Sequence, residues 1–208
     1  MADQSSTTIC KTFEYKLRPN AKFIAACEHV LSSSRFLYNC LLEQRISYYQ
    51  QTGKSLNKFE QSRQITDARN EFSEMASVSR AIQTDVLDRL DKSYQAFFKR
   101  NAGFPRFKGQ HRYHSFSQQI EKQRTCPLRG DKLHVPSVGT CRVRLSRPIE
   151  GRVKQLRITR RADGWFALLV CEIPQPKPLP KTGVEVGVDV GIKSFATLST
   201  GESIENPR

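Results

Sequence analysis

A chain of 208 residues can hold one large domain or two small ones, and a hydrophobic share of 38% fits a modest core. No apolar run approaches the roughly 20 residues of a membrane helix, and the polar start Met1–Thr8 has no apolar signal region, so no membrane role and a cytoplasmic location are expected. The net charge of +14 points to a polyanionic partner.

Thr12–Pro19 alternates apolar and polar side chains and predicts a strand with Phe13, Tyr15 and Leu17 on one face. Asn20 is placed to cap a helix, which the spacing of Phe23, Cys27, Val30, Leu31, Leu37, Tyr38, Leu41 and Leu42 carries as far as Thr52-Gly53. A second, more polar helix is expected over Lys58–Phe72. A third runs from Ser79 to Arg100, with Ile82, Val86, Leu90, Tyr94 and Phe97 inward and Arg80, Asp88, Arg89, Lys92 and Lys99 outward. Three helices of this kind make a small bundle.

Beyond Arg100 the character changes. Gly103-Phe104-Pro105-Arg106-Phe107-Lys108-Gly109 interleaves aromatic and basic side chains, as in a loop that stacks on bases and neutralises phosphates; it equally suits a turn with two buried phenylalanines. Short strand-like runs follow at Tyr113–Ser117, Lys132–Pro136, Thr140–Leu145, Gln155–Arg160 and Trp165–Glu172, the last two joined by the turn Arg161–Gly164. Such spacing suggests a small barrel, with rows of arginine on one face forming a basic groove. Between Lys99 and Arg161 the many cations meet only Glu121, Asp131 and Glu150, and arginine outnumbers lysine, as phosphate recognition favours.

Cys10, Cys27, Cys40, Cys126, Cys141 and Cys171 include no C-x-x-C pair. Reduced, partly buried thiols are the main reading; a site built from His111, His114 and Cys126 is the alternative. The proline-rich stretch 174–182 reads as a stiff linker. After it, a β-branched run delivers Asp189 into a glycine-containing turn, and Phe195–Leu198 returns towards Thr200-Gly201. This reads as the opening hairpin of an RNase H-like fold whose first strand carries a metal-binding Asp.

Taken in order, these segments resemble the TnpB family, the OrfB-type transposon proteins related to type V CRISPR effectors. The resemblance rests on Phe13–Pro19, Phe36-Leu37-Tyr38-Asn39, Gly103–Lys108, Ser115-Phe116, Glu150–Lys154, Asp163–Ala167 and Gly187–Lys193. It implies an α+β fold: a wedge-like β-barrel from 9–19 and 103–173, a helical recognition-like bundle inserted over 20–102, the linker 174–182, and a truncated start of a RuvC-like nuclease domain over 183–208. Complete members of that family are RNA-guided DNA endonucleases with an Asp–Glu–Asp site around Mg2+ or Mn2+ and a zinc ribbon. Of these, only Asp189 carries over here, as catalytic and metal-binding residue, and no zinc ribbon is expected.

Guide RNA and target DNA are the implied partners, with Lys16, Arg18, Arg106, Lys108, Arg112, Arg142, Arg144 and Arg157 as candidate phosphate contacts. A chain ending at Arg208 is expected to be inactive alone. One alternative is a catalytically dead remnant that only grips nucleic acid. Another, from a different class, is an actin-like ATPase or sugar kinase, because Asp189-Val190-Gly191-Ile192-Lys193 also resembles their phosphate loop.

Overall fold

The computed structural model describes residues 8–120, 126–176, 183 and 185–207. Two units emerge, one reaching Gln175 and the other starting at Pro176. Within the larger, β1 (Thr8–Arg18) precedes four helices: α1 (Ala21–Thr52), α2 (Lys58–Glu71), α3 (Ser73–Ser77) and α4 (Arg80–Phe98). Strands β2 (Ser115–Gln119), β3 (Leu128–Arg129), β4 (Lys132–Val135), β5 (Gly139–Arg144), β6 (Arg152–Arg161) and β7 (Gly164–Pro174) complete it.

All seven strands form one antiparallel sheet in the order β2-β6-β7-β1-β5-β4-β3. The first strand thus lies near the middle, paired with β7 from Thr8↔Pro174 to Lys16↔Phe166 and with β5 through Leu17↔Val143. Alternation decides which face it buries. Phe13, Tyr15 and Leu17 turn inward with Val143, Leu156, Ile158, Ala167 and Leu169, and their neighbours Glu14, Lys16 and Arg18 turn outward. Fully burying a side chain the size of Phe13 stabilises the fold by roughly 1.5–3 kcal/mol.

The helix boundaries follow from local chemistry. Asn20 Oδ1 accepts the Phe23 N–H at 2.8 Å and starts α1; Gly53, at φ 66°, stops it in the left-handed region. Asn57 and Glu60 exchange hydrogen bonds as a capping box at the start of α2. Helix α3 is an addition to the three helices the sequence predicts. Arg69 stabilises it, donating from Nη1 to the carbonyls of Met75 and Val78. Strand β1 also starts at Thr8 rather than Thr12, because β7 extends to Pro174 and offers it partners.

On α4, Ile82, Val86, Leu90 and Tyr94 are buried as the stripe predicts, while Phe97 is only half-buried. The expectation of an outward Arg80 and Arg89 is corrected by their partners. Arg80 donates to the Ser62 carbonyl across the α2–α4 seam at 2.9 Å. Arg89 donates to the Ser115 carbonyl at 2.8 Å and pairs with Asp85, whose carboxylate accepts from Ser117 Oγ at 2.6 Å. These bonds fasten α4 to β2. The pocket they create holds Tyr113, whose burial pushes its hydroxyl up to about 12.

The smaller unit is a three-stranded antiparallel sheet, β8 (Val188–Asp189), β9 (Ser194–Leu198) and β10 (Ser203–Glu205), in the order β10-β9-β8. It buries Ala196 but leaves Val186, Val188, Val190 and Ile192 exposed, the last at 95%. Most of the predicted linker, 177–182, and Val184 lie outside the described residues.

Candidate nucleic-acid interface

Strand register brings distant cations into rows. Lys16 faces Arg144, and Arg18 faces Arg142; Arg142 in turn faces Lys132, and Lys132 faces Arg129. Arg18, Arg142, Lys132 and Arg129 therefore cross four neighbouring strands in one line. All are exposed, on the side opposite the core. Like charges directly across an antiparallel pair destabilise it. Local acids offset little of this: Asp131 stands 3.9 Å from Arg142 and Asp163 stands 3.4 Å from Lys16, both in water. Among the described residues Arg18, Arg129, Lys132 and Arg144 have no carboxylate partner. An array of this kind suits a ligand that carries regularly spaced negative charge.

Sequence reasoning missed Arg129 and Lys132. Their signal was present, since Lys132 and His134 alternate with the buried Leu133 and Val135, but the pairing across strands was not. Arg157 lies on the same face two strands from β1, opposite Ser117 and Leu168, and is exposed.

A second cationic group surrounds the glycine-bounded loop. A turn with two buried phenylalanines is not what forms: Phe104 and Phe107 are both about half exposed. Asn39 holds the loop against α1, its Oδ1 accepting the Lys108 N–H at 2.8 Å and its Nδ2 donating to the Lys108 carbonyl at 3.1 Å. Lys108 Nζ lies 5.2 Å from the centre of the Tyr38 ring. Lys92, Arg106, Lys108 and Arg112 then line a cleft of about 440 Å3. Asn39 stands in the Phe36–Asn39 segment that the resemblance rests on, but its hold on the loop was not foreseen from sequence. Of the eight predicted phosphate contacts, the fold thus places Lys16, Arg18, Arg142 and Arg144 on one patch and Arg106, Lys108 and Arg112 around another.

Asp189 is exposed at the end of β8, opposite Thr197. At the other end of this hairpin, before β8 and after β9, Ser199 Oγ accepts the Gly187 N–H at 2.9 Å. A pair of catalytic divalent cations needs several carboxylates around it. Among the described residues no three His, Cys, Asp or Glu side chains converge on one point, His111, His114 and Cys126 included. One carboxylate does not make that site.

Comparison with known proteins gives these features a context. A family model described as a helix-turn-helix domain of OrfB/IS605 type matches residues 9–54. In this fold those residues are β1 and the single unbroken helix α1. A protein of Streptomyces pristinaespiralis whose name includes the words RNA-guided DNA endonuclease is 27% identical over 203 residues, covering 95% of this chain and 50% of that one. The likeness to the TnpB/OrfB group holds. InsQ of Escherichia coli, named with the same activity, is 24% identical over 200 residues, with 94% and 48% covered. The chain spans about half the length of these curated relatives. Among solved structures, a Cas12f protein in a CRISPR ternary complex shares the fold, with a TM-score of 0.51 at 11% identity over 88% of this chain and 48% of that one.

Proposed function

We propose that this chain is the nucleic-acid-gripping portion of an RNA-guided DNA endonuclease of the TnpB kind. The line Arg18–Arg142–Lys132–Arg129 carries the reading, because it accepts internal repulsion that a bound polyanion would relieve. In this reading the seven-stranded sheet is the wedge barrel of 9–19 and 103–173, and 20–102 is the recognition bundle. Guide RNA lies along the sheet patch and the loop cleft, and target DNA is the second partner. Asp189 opens the RuvC-like portion and is the first metal-binding carboxylate, with Mg2+ or Mn2+ held only when further carboxylates join it. The reading places the protein in the cytoplasm, where such RNA is made.

The test is RNA binding by fluorescence anisotropy across a salt series, using wild type and Arg106→Gln/Lys108→Gln. Each lost phosphate contact lowers the logarithmic salt slope by about 0.7 for single strands and 0.9 for duplex, so the double variant should lose roughly 1.4–1.8. An unchanged slope and affinity would remove the loop from the interface. A wild type with no affinity for RNA would overturn the functional reading as a whole.

A further inference from the structure

One aromatic cleft of the larger unit has no part in the phosphate contacts described above. It lies between the C-terminal turns of α1 and α4 and the start of the loop, encloses about 540 Å3, and is walled by Tyr49, Tyr94, Phe97, Phe98 and Phe104. Volumes of this order suit small ring systems. Tyr49, Phe98 and Phe104 remain 61%, 65% and 46% exposed. Their arrangement is held from behind: Phe104 meets Tyr94 and Phe97 edge-on at 5.6 Å and 5.3 Å.

The cleft is not purely apolar. Arg45 also lines it, with its residue only 6% exposed. The guanidinium is fixed on three sides: Nε donates to Gln61 Oε1 at 2.7 Å, Nη2 donates to Asp91 Oδ1 at 3.3 Å, and the plane lies 4.9 Å from the Tyr94 ring. Among the described residues Nη1 makes no hydrogen bond, leaving one rigidly held donor group. Asp91 is occupied as well, accepting from Gln95 Nε2 at 2.7 Å. Flat rings beside a single oriented donor match a flat ligand with an acceptor edge.

Location selects among such ligands. Phe104 is shared with the cationic cleft of Lys92, Arg106, Lys108 and Arg112. A backbone neutralised by those cations would therefore run past the mouth of the aromatic cleft. We infer that the cleft accepts an unstacked base of a single-stranded nucleic acid, sandwiched by Tyr49, Phe98 and Phe104 with Arg45 donating to a ring carbonyl or ring nitrogen. This rests on the nucleic-acid reading above and adds to it a place where strandedness is sensed. The same base chemistry is offered by an RNA loop and by an opened DNA strand.

The experiment uses the full chain and Tyr49→Ala/Phe98→Ala, whose side chains are mostly in solvent and contribute little to folding. Binding is measured for a short single-stranded RNA carrying one fluorescent aminopurine, for the same sequence as DNA, and for an RNA hairpin stem. Stacking on aromatic rings is worth enough per base that the variant should lose about tenfold or more in single-strand affinity. Its salt slope should stay at the wild-type value, and stem binding should not change. Wild type should also shift the aminopurine emission, and the variant should not. Loss with RNA alone identifies the source as an RNA loop; loss with DNA alone identifies an opened DNA strand.

Equal affinity of variant and wild type for both single strands overturns the base pocket while leaving the phosphate-binding reading intact. So does an equal loss for the stem, or a wild-type dimer that the substitutions split without any change in RNA affinity. A wild type that binds none of the three oligonucleotides overturns this inference together with the proposed function. An Arg45→Lys variant provides a second reading, because Lys keeps the charge but not the oriented fork. It should weaken single-strand binding and leave the stem unaffected, whereas no difference between the strands would count against the donor role.

Discussion

Replacing Arg142 with Gln should make the protein more stable and a poorer RNA ligand at once. Arg142 stands between Arg18 and Lys132 in adjacent strands. At a charge separation of about 6 Å in water each repulsion amounts to roughly 0.7 kcal/mol. Physiological salt reduces the pair to about 0.7 kcal/mol in total. Against this stands the Asp131 contact, at 3.9 Å and well exposed, worth about 0.2 kcal/mol. The balance favours the variant by about 0.5 kcal/mol, a rise in Tm of roughly 1–2 °C for a domain of this size. Binding moves the opposite way, with the salt slope falling by about 0.7–0.9 for one lost phosphate. Thermal melts at low and high salt, paired with anisotropy on the same samples, measure both effects. The stability gain should vanish in high salt. A lower Tm at low salt, or undiminished RNA binding, would refute the claim that this row is a strained anion-binding array; Arg142→Lys should resemble wild type in Tm.

Three further outcomes are expected. Gly151, at φ 74°, would place an added Cβ 2.2 Å from the Glu172 carbonyl oxygen, so Gly151→Ala should cost about 3 kcal/mol or more in chemical denaturation, and a cost below about 1 kcal/mol would contradict the geometry. Asn39→Ala removes both bonds to the Lys108 backbone and should lower stability by roughly 1–3 kcal/mol while speeding proteolysis within 103–109; unchanged cleavage there would show that the loop is held by other means. Burial pushes the thiols of Cys27 to about 12 and of Cys141 and Cys171 to about 11, above the usual 9. Because the folded values are raised, the stability they contribute is complete below about pH 9 and is lost as pH climbs through 11–12, so urea midpoints should fall steadily over that interval. A flat profile from pH 9 to 11 would show that the thiols titrate as they do in the unfolded chain.

The long helices were legible because each carries its own punctuation: Asn20 and Gly53 bound α1, and Ser79 starts α4 with a side chain that accepts the Ile82 N–H. Strand alternation likewise placed Phe13, Tyr15 and Leu17 on one face, and all three are buried. What the sequence did not disclose was partnership. Arg89 looks like any outward cation on a helical wheel until β2 arrives with the Ser115 carbonyl. Lys132 and Arg129 gain meaning only when β4 is laid beside β5. Asn39 gains it from a loop 69 positions further along the chain. Each is a long-range contact, and local periodicity holds no information about register between distant strands. The short helix α3 was missed for a related reason, since its carbonyls are satisfied by Arg69 from outside the helix.

The pairing of β1 with β7 also sets the order in which the chain can be assembled on the ribosome. Thr8 finds its partner only at Pro174, and Phe13 at Leu169. At about 5–20 residues per second, the first strand waits roughly 8–30 s for the last to be made. The four helices are complete well before then and can associate as they emerge. Until β5 is made, both edges of the strand are unsatisfied; β5 then offers partners to Lys16–Arg18, and the stretch from Thr8 to Tyr15 still waits for β7. The central strand is therefore the segment that waits longest for its partners during synthesis, and shielding it in that time favours the folded product.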